Sequence, residues 1–230
     1  MKFLFLPNWK VHKFKTDNII FQEPNIFTNN IPYWFFKYWP EEHAQFDVID
    51  YSRIPFFHTI EKNLLRFYIV QTLKAFPKMK KYNLIISHGA QSAVFLAFVR
   101  SVSGFKNPPH IIIDVGCLNG GRSRQPELSI FQFSMKSVSG IIYHASSQKT
   151  YYDRYFPFLS KKAFFVPFGV DTELFKPLDV EQENYMLSIG YKFRDWMTLI
   201  NAYSQIKTNT ALIIVGPKDL NMKLPNNVYC

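Results

Sequence analysis

The chain has only two cysteines, Cys117 and Cys230, in 230 residues. That is too few to staple a domain of this size, and a reducing compartment is the simpler expectation. No apolar run approaches the roughly 20 residues that cross a bilayer. The apolar opening, residues 1–6, is stopped by Pro7, Asn8 and Trp9, short of the ~7–15 residue core of a signal peptide. The histidines are scattered, no cysteines are closely paired, and Asp47-Val48-Ile49-Asp50 does not set two carboxylates on one ion. No metal is therefore expected. A Walker loop, a nucleophile elbow and a dinucleotide glycine fingerprint are all missing as well, which excludes three common enzyme chemistries.

Acidic residues are also scarce, 17 against 27 basic ones, leaving a formal charge of +10. Aromatic residues make up 18% of the chain and apolar residues 47%, enough for a real core, so the chain is globular rather than disordered. A basic, aromatic-rich protein suits nucleic acid, an anionic membrane surface or phosphorylated small molecules, and net charge does not choose among them.

Short β-rich apolar runs recur at residues 2–6, 46–49, 84–87, 110–114, 140–143, 163–166, 185–189 and 211–215, mostly followed by helix-compatible stretches. That rhythm predicts an α/β fold with a parallel sheet and crossover helices. Three stripes fall at helical spacing: Ile60, Leu64, Leu65, Tyr68 and Thr72; Ala93, Leu96, Ala97 and Arg100; and Thr198, Leu199, Ala202 and Ile206. Each is expected to be a core face. Residues 18–40 show no clean period and are expected to be a long loop.

The segment Val166-Pro167-Phe168-Gly169-Val170-Asp171, with Pro177 ahead of a polar stretch, interrupts this rhythm. It predicts a boundary: a first domain over 1–166, a hinge over 167–184, and the start of a second domain over 185–230, expected to be incomplete.

Several strand-to-helix junctions carry chemically useful groups. Gly190-Tyr191-Lys192-Phe193-Arg194-Asp195 places cations and backbone N–H groups where a diphosphate can sit, the alternative being a solvated turn with an Arg194–Asp195 pair. Asp114 ends a buried strand, where it either orients a substrate hydroxyl or caps the loop that follows. His88 either faces a cleft or caps a helix, and Ser146-Ser147 reads as a helix N-cap pair. Trp9-Lys10-Val11-His12-Lys13-Phe14-Lys15 and Tyr33-Trp34-Phe35-Phe36-Lys37-Tyr38-Trp39 mix rings with charge. Such mixtures suit an anionic membrane interface, although each ring taken singly is as readily core.

The stretch 165–171 with Phe175 and Pro177, then Ser188-Ile189-Gly190, Arg194-Asp195, Thr198 to Ala202 and Ile213-Ile214-Val215-Gly216, together resemble the middle of a GT-B glycosyltransferase of the family-4 type. Leu84 to Gly89 and Gly140 to Ser146 resemble that family's later N-domain strands. The resemblance implies two Rossmann-like domains, a first that binds the acceptor and a second that binds a nucleotide-diphosphate sugar. It implies retaining, metal-independent transfer of the sugar to a glycan or lipid-linked hydroxyl, with no cofactor besides the donor. Asp114 and His88 are then the catalytic candidates, and Gly190, Lys192, Arg194, Gly216 and Asn8 the donor-binding ones. The family carries Arg directly after the glycine where this chain has Tyr191, and glycines where it has Asn8 and Trp9. A cytoplasmic protein, peripheral on the inner face of the membrane, is expected. Nucleic acid is not expected, because no recognition module is visible. A non-catalytic module that binds a phosphorylated glycan, an anionic lipid or, as the last of the three, nucleic acid through a basic aromatic face is the alternative.

Overall fold

The computed structural model describes residues 1–9, 11, 33–36, 38–41, 43–50, 55–61, 65, 67–116, 118, 127–172, 175–177, 179, 181, 183–190, 194–216, 220 and 224–230. The chain divides into two compact units, Met1–Leu174 and Phe175–Cys230.

The first unit is built on a six-stranded sheet, wholly parallel. Its strands are β1 (Lys2–Leu6), β2 (Gln45–Val48), β3 (Leu84–His88), β4 (His110–Asp114), β5 (Gly140–Tyr143) and β6 (Ala163–Phe165), in the spatial order β2-β1-β3-β4-β5-β6. The helices are α1 (Pro55–Ile60), α2 (Ile69–Ala75), α3 (Ala90–Ser103), α4 (Glu127–Met135), α5 (Gln148–Tyr155) and α6 (Pro157–Ser160).

Alternation along the strands divides the core by face, as period 2 requires. Leu4, Leu6 and Ile85 pack with Ala75 and Met79, and with Leu96 of α3. Phe5 and Ile86 point the other way, into a layer of Val11, Tyr33 and Phe36. There Phe36 stacks on Phe46 at 3.8 Å and Trp39 meets Phe3 edge-on at 4.8 Å. The described rings of the second basic-aromatic stretch are thus mainly core: Tyr33 and Phe36 are buried, Phe35 and Trp39 are partly so, and Tyr38 alone stands 64% exposed. Of the first stretch only Trp9 and Val11 lie among the described residues.

Two helical expectations are corrected. The stripe from Ile60 to Thr72 is not one helix, because α1 ends at Ile60 and α2 starts at Ile69 with Tyr68 as its N-cap. Glu61, 2% exposed, accepts from the Val70 N–H at 2.7 Å and so supplies a cap that the local sequence lacks. The stripe on α3 holds: Ala93, Leu96, Ala97 and Arg100 are all buried.

The second unit has three parallel strands in the order β7 (Tyr185–Ile189), β8 (Ala211–Val215), β9 (Val228–Tyr229), with α7 (Trp196–Ser204) between the first two. Here the second correction falls. The residues α7 buries are Ile200 and Tyr203, packed on Leu212, Ile214 and Val228, while Thr198 and Ala202 are exposed and Ile206 lies past the helix. Among the described residues no helix is long and apolar enough to cross a membrane.

Candidate functional site

In an open parallel sheet, ligands bind beyond the carboxyl ends of the strands, above all where the strand order reverses. In the first unit that point is β1, since the chain lays β2 on one side of it and β3 on the other. Leu6 is in register with Ser87, so Asn8, two residues past Leu6, emerges beside His88. The two side chains meet there: His88 Nδ1 and Asn8 Oδ1 are 3.1 Å apart. Trp9 stands edge-on to the imidazole with ring centroids 4.6 Å apart. Next to them Gly89 starts α3 at φ +78°, its N–H donating to the Ile113 carbonyl at 2.9 Å. A Cβ at Gly89 would lie 2.6 Å from Asn8 Nδ2, so the close approach requires glycine on both counts. The N-cap of α3 is Gly89, not His88.

The loop after β1 is held from behind. Buried Gln71 donates through Nε2 to the carbonyls of Pro7 (2.9 Å) and Ile49 (2.7 Å), and the Tyr68 hydroxyl donates to the Asn8 carbonyl at 3.4 Å. Burial, aided by the charge of nearby His144, lowers the His88 pKa to about 4. At neutral pH the ring is therefore uncharged.

Asp114 is 0% exposed. One oxygen accepts from the N–H groups of Gly116 (3.0 Å) and Leu118 (3.2 Å); the other accepts from Gln148 Nε2 (2.8 Å) and the Tyr152 hydroxyl (2.6 Å). Of the two roles the sequence leaves open, loop capping describes these contacts. Burial, with the Asp114 charge behind it, pushes the Tyr152 hydroxyl far above its ordinary range.

Beyond β5, His144 donates from Nδ1 to the Val166 carbonyl at 2.6 Å and stacks on Phe168 with ring centroids 4.1 Å apart. The Ser146-Ser147 cap is corrected. Ser147 is the N-cap of α5 but makes no side-chain cap bond; instead Gln148 Oε1 folds back to accept from the N–H groups of His144 (3.2 Å) and Ala145 (2.9 Å).

In the second unit, Ile189 is in register with Val215, which sets Gly190 beside Gly216. The Gly190 N–H donates to the Val215 carbonyl at 2.9 Å. Gly216 has φ +129°, and a Cβ there would fall 1.9 Å from the Gly190 oxygen. A Cβ on Gly190 would lie 2.5 Å from Arg194 Nε, so the guanidinium arm lies across that glycine while remaining exposed. Asp195 does not pair with it. Its carboxylate accepts from the Thr198 N–H (3.0 Å) and hydroxyl (2.7 Å), capping α7, and those bonds hold its pKa below the usual carboxylate range. The cap places negative charge at the N-terminus of α7, so an anion near Gly190 must rely on Arg194 and free backbone N–H groups more than on the helix dipole. Lys192 lies outside the described residues. No cluster of three or more metal-ligating side chains occurs among them.

An open pocket of about 490 Å³ lies at the other edge of the first sheet, lined by Lys80, Tyr82, Phe105, Lys106 and Pro108. Buried Arg100 of α3 braces the wall of that pocket, donating to the carbonyls of Lys106 (2.8 Å) and Pro108 (2.6 Å).

HepE from Anabaena, solved in complex with UDP, shares this architecture with a TM-score of 0.53 and 14% identity, over 94% of this chain and 61% of that one. The fold is GT-B-like. UDP-GlcNAc 2-epimerase from Methanocaldococcus jannaschii matches 93% of this chain and 65% of its own at 13% identity, with a TM-score of 0.49. This chain spans about three fifths of the length of HepE. No family model matches the sequence, and no curated protein matches it.

Within the GT-B-like fold, Asn8, His88 and Asp114 of the predicted residues lie along one sheet edge, and Gly190, Arg194 and Gly216 along another. Sequence reasoning missed Gln148, Tyr152, His144 and Phe168. His144 carried a usable signal, a histidine one residue past a strand end. Gln148 and Tyr152 carried none, because their partner Asp114 lies 34 and 38 residues away.

Proposed function

We propose that this chain is the acceptor-side domain and the opening of the donor-side domain of a retaining, family-4-type glycosyltransferase. In this reading a nucleotide-diphosphate sugar binds at the carboxyl edge of the second unit and passes its sugar to a hydroxyl of a glycan or lipid-linked acceptor. The observation that carries it is the pair of abutting glycines, Gly190 and Gly216, with the Arg194 side chain lying across the first. A guanidinium at that strand end meets the charge that grows on the leaving nucleoside diphosphate without a metal. The likeness to HepE, a protein solved with UDP, supports the same reading. Lys192 supplies a second cation, His88 meets the acceptor with Asn8 beside it, and Asp114 positions the loop that follows β4.

Calorimetric titration of the 230-residue chain with UDP-glucose tests this. Binding is expected, and Arg194→Ala is expected to weaken it about tenfold or more, the loss of roughly one charge-assisted hydrogen bond. A folded chain that binds no nucleotide-diphosphate sugar, or an Arg194→Ala variant that binds as well as the parent, overturns the proposal.

A further inference from the structure

The Asn8 amide has two near neighbours, of which His88 alone bonds it. Its Oδ1 lies 3.1 Å from His88 Nδ1. Its Nδ2 lies on the far side, 2.6 Å from the point where a Gly89 Cβ would stand, and Gln91 Oε1 lies 3.2 Å from the same point. Gln91 Oε1 is buried and has no hydrogen-bond partner within the chain. Gln91 Oε1 therefore makes no hydrogen bond to Asn8, and the amide is set by its contact with His88. With the amide oxygen turned to His88, only a protonated Nδ1 satisfies the contact, because an amide oxygen accepts and does not donate.

We propose that Asn8 fixes His88 in the Nδ1–H tautomer, so that Nε2 is the unprotonated atom offered to a substrate hydroxyl. Asn8 is a positioning residue in this scheme. The assignment rests on reading the carboxyl edge of the first sheet as the acceptor site, and it sharpens that reading. An imidazole that offers a lone pair selects a hydrogen-bond donor, an uncharged sugar hydroxyl, over an anionic group. Trp9, edge-on to the ring at 4.6 Å, restricts how the imidazole turns, and the uncharged state of the ring keeps the lone pair available at neutral pH.

Ring nitrogens of the 15N-labelled chain, observed by long-range proton–nitrogen correlation at pH 7, report the tautomer directly. His88 is identified by the signal lost in His88→Gln, and the other five of the six histidines serve as a fold control. The expected result is a single Nδ1–H form in the parent chain. In Asn8→Ala a mixture with Nε2–H should appear. An Nε2–H form in the parent, or a His88 that stays wholly Nδ1–H in folded Asn8→Ala, overturns the proposal. The measurement needs no sugar nucleotide, so a failure to bind UDP-glucose would count against the transferase reading alone and leave the tautomer result standing.

Discussion

At the scale of the residue, two histidines remain uncharged because of where strands deliver them. His110 opens β4, is fully buried, and has Nε2 2.8 Å from the Ser87 hydroxyl; burial, with the charge of Arg100 behind it, pushes its pKa down to about 3. His88 closes β3 and sits at about 4. In the unfolded chain both return to about 6.5. Between the folded and unfolded values the unfolded state holds more protons, so stability rises with pH across that window. The contribution is present above about 6.5 and is lost as pH falls toward 4 for His88 and further toward 3 for His110. The urea midpoint of the chain should therefore drop between pH 7 and pH 4.5, and the drop should be smaller in His88→Gln. Equal slopes in the two proteins would show that His88 is not held neutral.

At the scale of the element, the junctions after β7 and β8 act as one structure. Gly216 combines a positive φ with a backbone approach that leaves a Cβ only 1.9 Å from the Gly190 oxygen. Backbone, unlike the end of a flexible side chain, does not give way. Gly216→Ala is expected to disrupt the β7–β8 pairing beside it, whereas Gly190→Ala displaces only the Arg194 arm. Circular dichroism melting with UDP-glucose titration separates them: Gly190→Ala should keep the fold and weaken binding, and Gly216→Ala should melt at a lower temperature than the parent. If Gly216→Ala melts like the parent, the close approach is not a constraint.

These junctions also show what the sequence made legible. Eight of the nine described strands are readable from the sequence, because each is a short β-rich apolar run bounded by turn residues. The two-residue β9 is too short to leave one. The α7 stripe misled because its buried face is decided by the strands beneath it, through Ile200 and Tyr203, rather than by its own periodicity. Gly190, Gly216 and Arg194 were legible because strand–glycine–cation is local. The Asp114 network and the Asn8–His88 contact were not, since each joins residues tens of positions apart that only the sheet register brings together.

At the scale of the whole molecule, net charge opposes the pull of an exposed apolar surface. Among the described residues β7 pairs with β8 alone, so its other edge is open. Tyr185, Leu187 and Ile189 share a sheet face with Ala211, Ile213 and Val215, opposite the face on which α7 packs. Parallel crossovers are right-handed, so two steps in one direction, β7 to β8 to β9, must both cross the same face. Leu220 and Leu224 of the second connection accordingly join the α7 cluster. On the opposite face Leu187 is 50% exposed, Ile189 61% and Tyr229 57%. Such a face, beside an edge strand without lysine or proline to guard it, drives association. The +10 charge opposes that at low salt. Raising ionic strength to 1 M shortens the screening length from about 8 to about 3 Å and removes the opposition while leaving apolar attraction intact. Self-association should therefore grow with salt, the reverse of an ion-pair interface, and the double substitution Leu187→Lys with Ile189→Lys should return the chain to monomer. Sedimentation velocity across a salt series reads both effects. Association that falls with salt, or that survives the double substitution undiminished, would place the sticky surface elsewhere on the molecule.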